Sequence, residues 1–465
     1  MPQNGASPGL GKLSRPLPIS SNCTTPSSHN RTHKRQTSNI MSIDTEAPAT
    51  MAMPRAGKLT LARAAEMESA YDRVFWLAYL ANGLVTMANA MLVRYADFVN
   101  LLGGGERQLG LIVGVGMLGG IAMRMVQGIG IDHYGSGRIW RLSMVVYVVS
   151  LTAHLMLTTA YGPSVFAVRV LMQSSLAGIF GASITFVSLR VPRHRMAEII
   201  GTLGTSGFIG ILIGPLLSDW IFGSASTGRG QVDWLFSTAA AVATAAGIVT
   251  WLATRNDVVP VFRRRPSLWR IVHRYTPVPV ALVAIAMGAG FAIPMIFLRP
   301  FAAELHLSRI GLYFAVYSTS AFAARLSTRQ LFERHGNRPW MILGMILLTI
   351  SFLLYLPVQQ TWHLFAPGAV AGIAHALLFP SVMSEGTSAF PRRYRGVATS
   401  MMLAMFDLGI LLGAPLVGTF LQYAKRWSSA PYPIMFVSVA SVFVVITAVF
   451  CCSKSAGPAR GTIPS

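Results

Sequence analysis

Six side chains that could carry chemistry lie inside long apolar stretches of this sequence. Charged and strongly polar groups are costly to bury in such stretches, so each is a functional candidate. A carboxylate or an imidazole there can carry a proton, and a guanidinium can contact an anion. The candidates for substrate contact or coupling are Arg94, Asp97, Arg169, Gln173, His375 and Asp407.

Asp407 is the deepest acid, roughly 16 Å into its stretch at 1.5 Å per residue. A charge at that depth needs a compensating interaction. Asp407 stays protonated, pairs with a basic group such as His375, or faces a water-filled cavity. The first and third arrangements suit proton coupling, and the second also suits a structural role. The alternative is an Asp that only hydrogen-bonds neighbouring helices.

The other candidates have narrower interpretations. Arg94 and Asp97 are three residues apart near one end of their stretch, which favours an ion pair that serves structure or substrate contact. Arg169 and Gln173 are four residues apart and share a helical face. For His375, in the middle of its stretch, a neutral imidazole satisfied by a hydrogen bond is the favoured interpretation.

A motif of charged residues around a glycine occurs twice, 201 positions apart at its first basic residue. The glycine suits a tight turn with positive φ. We interpret the motif as a cytoplasmic latch whose charge pairs form in one state and break in another, with a solvated turn as the alternative. The first basic residue of each copy lies near the end of its stretch and is expected to reach the membrane surface instead. The members are Arg124, Gly128, Asp132, Gly135 and Arg138, then Arg325, Glu333, Gly336 and Arg338.

The elements that position these residues are apolar blocks of about 20 residues, the length that crosses a bilayer as a helix. Of the 465 residues, 53% are hydrophobic and 12% are charged, which excludes an ordinary soluble protein. The blocks are too long and unbroken for barrel strands. We predict an all-α membrane protein with twelve spans at 74–98, 108–128, 142–160, 164–188, 198–221, 234–253, 278–298, 310–328, 339–357, 363–386, 397–420 and 432–452.

The basic residues set the predicted orientation. Five loops on one side hold 17 of the 38 Lys and Arg residues, and the loops on the other side hold six. This asymmetry places the richer side, and both termini, in the cytoplasm. The net charge of +22 is therefore a topology signal, and nucleic acid is not an expected partner. Residues 1–72 are predicted to be a disordered N-terminal tail, 256–277 a cytoplasmic linker and 454–465 a C-terminal tail.

An internal repeat divides the chain into two six-helix halves, 73–255 and 278–453. Besides the charged motif, a Gly-Pro segment recurs 199 positions later. Its small residues let helices approach closely, and its proline permits a bend. We interpret the segment as a hinge or seal between the halves, with helix packing as the alternative. Its residues are Gly201, Gly210, Gly214 and Pro215, then Gly409, Gly413 and Pro415.

These motifs resemble those of the major facilitator superfamily. Gly128, Asp132 and Gly135 match the superfamily signature between the second and third helices, with His133 in place of the usual Arg. The Gly201–Pro215 segment is similar to the fifth-helix motif of drug–proton antiporters. Arg169 with Gln173 resembles the fourth-helix Arg motif. The resemblance covers about 74 to 452 and implies two pseudo-symmetric halves with a substrate cavity between them.

The resemblance and the candidates together favour a secondary transporter. We expect transport of a small organic solute by alternating access, with proton-coupled efflux as one mode. The alternative is a uniporter or exchanger of an organic anion with Arg94 and Arg169 as counter-charges. A polytopic enzyme or sensor is disfavoured because the sequence lacks H-E-x-x-H and P-loop patterns. Neither cofactor nor metal is expected, and the protein is interpreted as a monomer in the inner (cell) membrane.

Overall fold

The computed structural model describes residues 71–191, 195–223, 228–255, 273–328, 336–391 and 394–453. Its regular elements in these ranges are all helices, which confirms the predicted all-α class. Each predicted span coincides with one helix, and all twelve belong to one compact unit, Leu59–Ser465. The helices are α1 Arg73–Leu101, α2 Glu106–Tyr134, α3 Ser136–Ala153, α4 Pro163–Ser188, α5 Met196–Phe222, α6 Arg229–Thr254, α7 Val278–Glu304, α8 Gly311–Thr328, α9 Arg338–Leu353, α10 Phe365–Ser388, α11 Arg395–Trp427 and α12 Pro431–Cys452.

Ten of these helices are long and apolar enough to cross a membrane, and the other two are α8 and the shorter α9. The predicted number of twelve crossings is consistent with this arrangement. The predicted N-terminal tail and C-terminal tail, and most of the predicted linker, lie outside the described residues apart from their edges.

Local sequence explains where several helices begin and end. The Asp72 carboxylate accepts a hydrogen bond from Phe75 N at 2.7 Å and caps α1. Gly135 separates α2 from α3 with φ of 85°, and Gly336 has φ of 72° at the equivalent place before α9. The predicted positive-φ turns are therefore confirmed in both repeats. A 3₁₀ turn, Leu92–Arg94, interrupts α1.

The contacts between helices follow the repeat. In the N-terminal half, α1–α6, helix α1 packs on α5 and α6, and α4 packs on α2 and α3. In the C-terminal half, α7–α12, helix α7 packs on α11 and α12, and α10 packs on α8 and α9. The halves meet along two equivalent contacts, which we name the first seam (α2 against α11) and the second seam (α5 against α8). The fold therefore has the pseudo-symmetry that the repeat predicted.

The paired glycines pack within each half and not between the halves. A Cβ at Gly210 would lie 2.6 Å from Met87 N on α1, and one at Gly409 would lie 2.0 Å from Ile285 O on α7. Their neighbours Gly214 and Gly413 face the same two helices. These glycines therefore make close helix contacts within each half, as the packing alternative expects, and their role as a hinge or seal stays a prediction.

The other members of the Gly-Pro segment differ among themselves. A Cβ at Gly201 would meet no atom within 4 Å, so this glycine makes no close helix contact. The prolines, in contrast, lie at the seams. Pro415 Cγ is 2.5 Å from a Cβ placed on Gly114 of α2, and Pro215 C is 2.9 Å from one placed on Gly311 of α8.

Candidate functional site

A cavity of about 350 Å³ lies between the two halves. Its walls come from four helices of each half, namely α1, α2, α4 and α5, and α7, α8, α10 and α11. The volume falls in the range of roughly 300–1,000 Å³ that is usual for small-molecule sites. Of the six candidates, Arg169, Gln173, His375 and Asp407 line this cavity.

Arg124 and Asp407 form a two-pronged ion pair in the cavity wall. Arg124 Nε donates to Asp407 Oδ2 at 2.6 Å, and Nη2 donates to Oδ1 at 3.3 Å. Both side chains are largely buried, with 13% and 7% exposure. The pair crosses the first seam, because Arg124 is on α2 and Asp407 is on α11. Asp407 thus has the basic partner that one interpretation required, but this partner is Arg124 and not His375.

The expectation that Arg124 reaches the membrane surface is wrong. Helix α2 continues to Tyr134, six residues beyond the predicted end of its span. Arg124 lies ten residues, or about 15 Å, before the end of this helix, and its guanidinium binds Asp407 in the cavity wall. Its membership of the latch stays a prediction, and the carboxylate that it pairs with in this structure is Asp407 in the cavity wall.

Arg169 is buried in the cavity wall without a carboxylate partner among the described residues. Its guanidinium lies 4.4 Å from the centre of the Tyr95 ring, and Nη1 is 3.8 Å from Met172 Sδ. Arg169 Nε has no hydrogen-bond partner within the part of the chain that the structure describes. Gln173 Nε2, one turn along α4, is 3.6 Å from Met117 Sδ. The basic group of the fourth helix is therefore held by aromatic and thioether contacts, which are weak.

His375 is packed among aromatic rings. Its ring is stacked on Phe291 with centroids 4.5 Å apart, and the edge of Phe208 lies 5.8 Å away. Nδ1 is hydrogen-bonded to the Tyr317 hydroxyl. The predicted hydrogen bond that satisfies this imidazole is confirmed. Phe208 occupies the position of α5 that corresponds to Asp407 of α11 in the repeat, and its ring packs against His375.

Arg94 and Asp97 form the predicted ion pair, at 3.1 Å, but they are not among the residues that line the cavity. Arg94 also pairs with Asp219 at 2.9 Å, and Asp97 pairs with Arg299 at 2.9 Å. Asp219 Oδ2 accepts a hydrogen bond from Gly311 N at 2.5 Å. These contacts join α1 and α5 to α7 and α8 at the end of the bundle that the charge distribution predicts to be external. The role of Arg94 as a substrate counter-charge is therefore not supported.

A second ionic cluster lies at the same predicted outer end. Lys425 Nζ is 2.5 Å from Glu106 Oε1 and 3.8 Å from Glu304 Oε2. The Tyr432 hydroxyl donates to the same Glu106 oxygen at 3.3 Å. The cluster joins α2 to α7, α11 and α12, so it crosses between the halves. Sequence reasoning did not single out these residues, because the predicted spans excluded all but Tyr432.

The repeated charged motif is described only in part. The Asp132 side chain and the whole of Glu333 lie outside the described residues, so their latch role stays a prediction. Arg138 is exposed, and Arg325 is half-buried. Arg338 Nη2 donates to Phe450 O at 2.9 Å and to Cys451 O at 3.2 Å, which ties α9 to the last turn of α12.

Arg141 does the same in the N-terminal half. Its Nη1 donates to Thr254 O at 3.1 Å and so caps the last turn of α6. The arginines at the start of α3 and α9 therefore hold the helices α6 and α12. For Arg338, the described contacts are with the backbone of α12, and its latch role stays a prediction.

No group of three or more His, Cys, Asp or Glu side chains suited to a metal occurs among the described residues. The ionisable groups that line the cavity are instead the side chains of two arginines, one aspartate and one histidine. In general, guanidinium groups can pair with anions, and carboxylates and imidazoles can carry protons.

Known proteins with similar sequences include multidrug resistance proteins. The chain is 26% identical over 268 residues to "Multidrug resistance protein MdtG" of Salmonella paratyphi C, covering 54% of this chain and 64% of that protein. It is 26% identical over 257 residues to the protein of that name in Serratia proteamaculans, covering 52% and 60%. The matches thus span less than two thirds of the length of these curated relatives.

Known structures with the same fold include transporters. A nucleoside transporter, NupG, superposes with a TM-score of 0.66 at 14% identity, covering 82% of this chain and 100% of that chain. An auto-inhibited peptide transporter of the POT family gives a TM-score of 0.67 at 12% identity, covering 82% and 96%. At such identities the likeness concerns the fold alone.

The family model described as "Major Facilitator Superfamily" matches residues 75–332 and 280–462. The two matches overlap and together include all twelve helices. The protein belongs to the major facilitator superfamily.

Proposed function

We propose that this protein moves a small organic solute across a membrane by alternating access. The observation that carries the proposal is a ligand-sized cavity between the halves, with ion pairs that join the halves at one end of the bundle. Charge pairs at a domain contact can exist in one state and be absent in another, whereas a packed core deforms little. Breaking the contacts of Asp97 and Lys425 opens the predicted outer end.

Proton coupling resides in the Arg124–Asp407 pair. A proton on Asp407 removes its charge and leaves the buried Arg124 without a counter-ion. An unpaired buried charge is strongly unfavourable, so protonation changes the stability of the first seam. His375, in the same cavity, is already hydrogen-bonded to Tyr317 and is the secondary candidate.

Efflux is the proposed direction, since the relatives similar in sequence are named for multidrug resistance. The protein is proposed to act as a monomer in the inner (cell) membrane, with both termini in the cytoplasm. Its predicted outer end is then closed in this structure. A solute enters the cavity from the cytoplasm and leaves when the outer ion pairs separate.

Reconstituted vesicles test this proposal. Uptake of a panel of labelled organic solutes is measured in proteoliposomes with and without an imposed pH gradient, for the wild type, Asp407→Asn and Asp233→Asn. Asp233 is the control because it forms an ion pair at 43% exposure, away from the cavity. We expect saturable, gradient-dependent flux in the wild type and the control and its loss in Asp407→Asn. Flux equal to that of protein-free vesicles across the panel contradicts transport, and gradient-driven flux in Asp407→Asn contradicts coupling through Asp407.

A further inference from the structure

The charges in the cavity do not balance. Arg124 and Arg169 are its two arginines and Asp407 is its one carboxylate. Asp407 is fully engaged with Arg124 through both of its oxygens. One guanidinium, that of Arg169, therefore remains without an anionic partner among the described residues.

The surroundings of Arg169 do not compensate its charge. The residue is only 7% exposed, so most of its hydration has been removed. Its observed contacts are the face of the Tyr95 ring and the sulfur of Met172, and Nε is unpaired. Thioether sulfur is a weak acceptor, and a ring face attracts a cation less strongly than a carboxylate does. A buried cation in this setting is incomplete until an anion reaches it.

The remaining walls of the cavity are mainly apolar and include several flat rings. Phe291 and His375 form one stacked pair, and Phe180, Phe314 and Met295 line the same space. Aromatic and thioether walls favour a flat apolar body in the ligand. The binding space thus combines one uncompensated positive charge with an aromatic chamber.

Two glycines on α2 leave room for the side chains of Arg169 and Asp407. A Cβ at Gly116 would lie 2.6 Å from Arg169 Cγ, and a Cβ at Gly120 would lie 3.2 Å from Asp407 Oδ2. Asp407 contributes a negative charge to the same wall, and Arg124 is already paired with it. A second anionic group on the ligand would therefore find no uncompensated cation among the described residues of the cavity.

We propose that the cavity binds an organic monoanion with a flat apolar body, whose oxyanion pairs with Arg169. This inference rests on the proposed transport function and names the substrate class of the same site. The oxyanion is a carboxylate or a group of equal charge and geometry, since a guanidinium binds such groups through two parallel hydrogen bonds. The Arg124–Asp407 pair stays intact beside the bound anion.

Binding to the purified full-length chain in nanodiscs tests the substrate class. The probes are three naphthalenes that differ only in their substituent, namely a carboxylate, a carboxamide and a methylammonium group. We expect the wild type to bind the carboxylate at least about tenfold more tightly than the other two, as expected for a desolvated charge pair. Equal binding of the carboxamide or the methylammonium, or no binding of the carboxylate, overturns the proposal. This comparison needs no variant.

Variants then assign the contact to Arg169. Arg169→Gln should lose the preference for the carboxylate, Arg169→Lys should keep part of it, and the exposed Arg73→Gln should keep all of it. An unchanged preference in Arg169→Gln contradicts the assignment. A failure of the transport proposal can be distinguished from a failure of the anion-site proposal. If the carboxylate binds but no flux is measured, the anion site is supported and the transport function is contradicted. If the methylammonium probe is transported independently of Arg169, the proposed transport function is supported and the proposed preference for an organic anion is contradicted.

Discussion

The first and second seams are related by the repeat but carry different chemistry. At the first seam Arg124 of α2 pairs with Asp407 of α11. At the second seam the equivalent arginine is Arg325 of α8, and the equivalent of Asp407 is Phe208 of α5, which lies against His375. No ion pair is found for Arg325 among the described residues. The helix arrangement is therefore repeated in the two halves, whereas the ion pair that lines the cavity, Arg124–Asp407, is found at the first seam.

This comparison shows that pseudo-symmetry governs packing more strictly than charge. Gly210 and Gly409 contact equivalent helices, α1 and α7. At both positions a side chain larger than that of glycine would collide with the backbone of the neighbouring helix. A buried acid is costly unless it is paired, so it persists only where it serves a purpose. The acid that lacks an equivalent in the other half, Asp407, is therefore the more informative about function. Four experiments test whether the two seams differ in this way.

The largest effect is expected from removing one partner of the buried pair. Asp407→Ala leaves Arg124 uncompensated and should lower the free energy of unfolding by about 3 kcal/mol. Unfolding in detergent micelles measures this loss. The double variant Arg124→Ala/Asp407→Ala should recover much of it, because no buried charge remains unpaired. Equal stability of the single and double variants would show that the pair does not couple the seam.

A methyl group at the seams should have the next largest effect. A Cβ at Gly110 would lie 2.2 Å from Ala414 O in the first seam, and one at Gly311 would lie 2.9 Å from Asp219 Oδ2 in the second. The Cβ at Gly311 would also lie 2.9 Å from the backbone atoms Pro215 C and Leu216 N, so both seams are crowded by backbone. The approach is 0.7 Å closer at Gly110, so Gly110→Ala should destabilise more than Gly311→Ala. Overpacking of this kind costs about 1–3 kcal/mol. Thermal unfolding of both variants, with Gly201→Ala as an uncrowded control, checks the order.

Weakening the predicted outer end should have a moderate and local effect. Arg299→Gln removes the charge that pairs with Asp97, while Asp97 keeps Arg94. We expect faster hydrogen exchange in the last turns of α1 and α7, with little change in α3 and α9. Unchanged exchange in α1 and α7 would mean that the ion pair does not hold this end closed.

The smallest effect is expected at Arg325. Arg325→Gln should change gradient-driven flux by less than about twofold, since exposed or weakly engaged charges contribute little. Arg124→Gln, its repeat equivalent, should abolish the dependence of flux on the pH gradient. Equal losses in the two variants would show that both seams carry coupling chemistry.

The sequence predicted the fold well because helix-length apolar blocks, glycine turns and the repeat are local or periodic signals. Gly135 and Gly336 have the expected positive φ, and Arg94 pairs with Asp97 one turn away. Their partners on other helices, Asp219 for Arg94 and Arg299 for Asp97, were not predicted, because helical periodicity gives the face of a residue and not its neighbour on another helix. Arg124 and Asp407 are 283 positions apart, and no local pattern joins them.

Two further errors have physical causes. The predicted span of α2 stops at residue 128, because the residues after it are less apolar, whereas the helix continues to Tyr134. The sequence predicted no role for Asp219 and Arg299. A charged residue near the end of a span can extend into water or form an ion pair with another helix, and the sequence does not distinguish the two. Only the packing of α1 against α5 and α7 decides between these possibilities.

The position of the Arg124–Asp407 pair, in both the cavity wall and the first seam, bears on energetic efficiency. A carrier that exchanges protons for cargo wastes the gradient when protons accumulate on it at rest. With cargo at Arg169 and Asp407 ionised, both arginines of the cavity are paired. Protonating Asp407 in the emptied cavity leaves two unpaired arginines, a state disfavoured by about 3 kcal/mol or roughly 150-fold in population. The protonated empty carrier is therefore confined to the return step of the cycle and does not accumulate as a resting state.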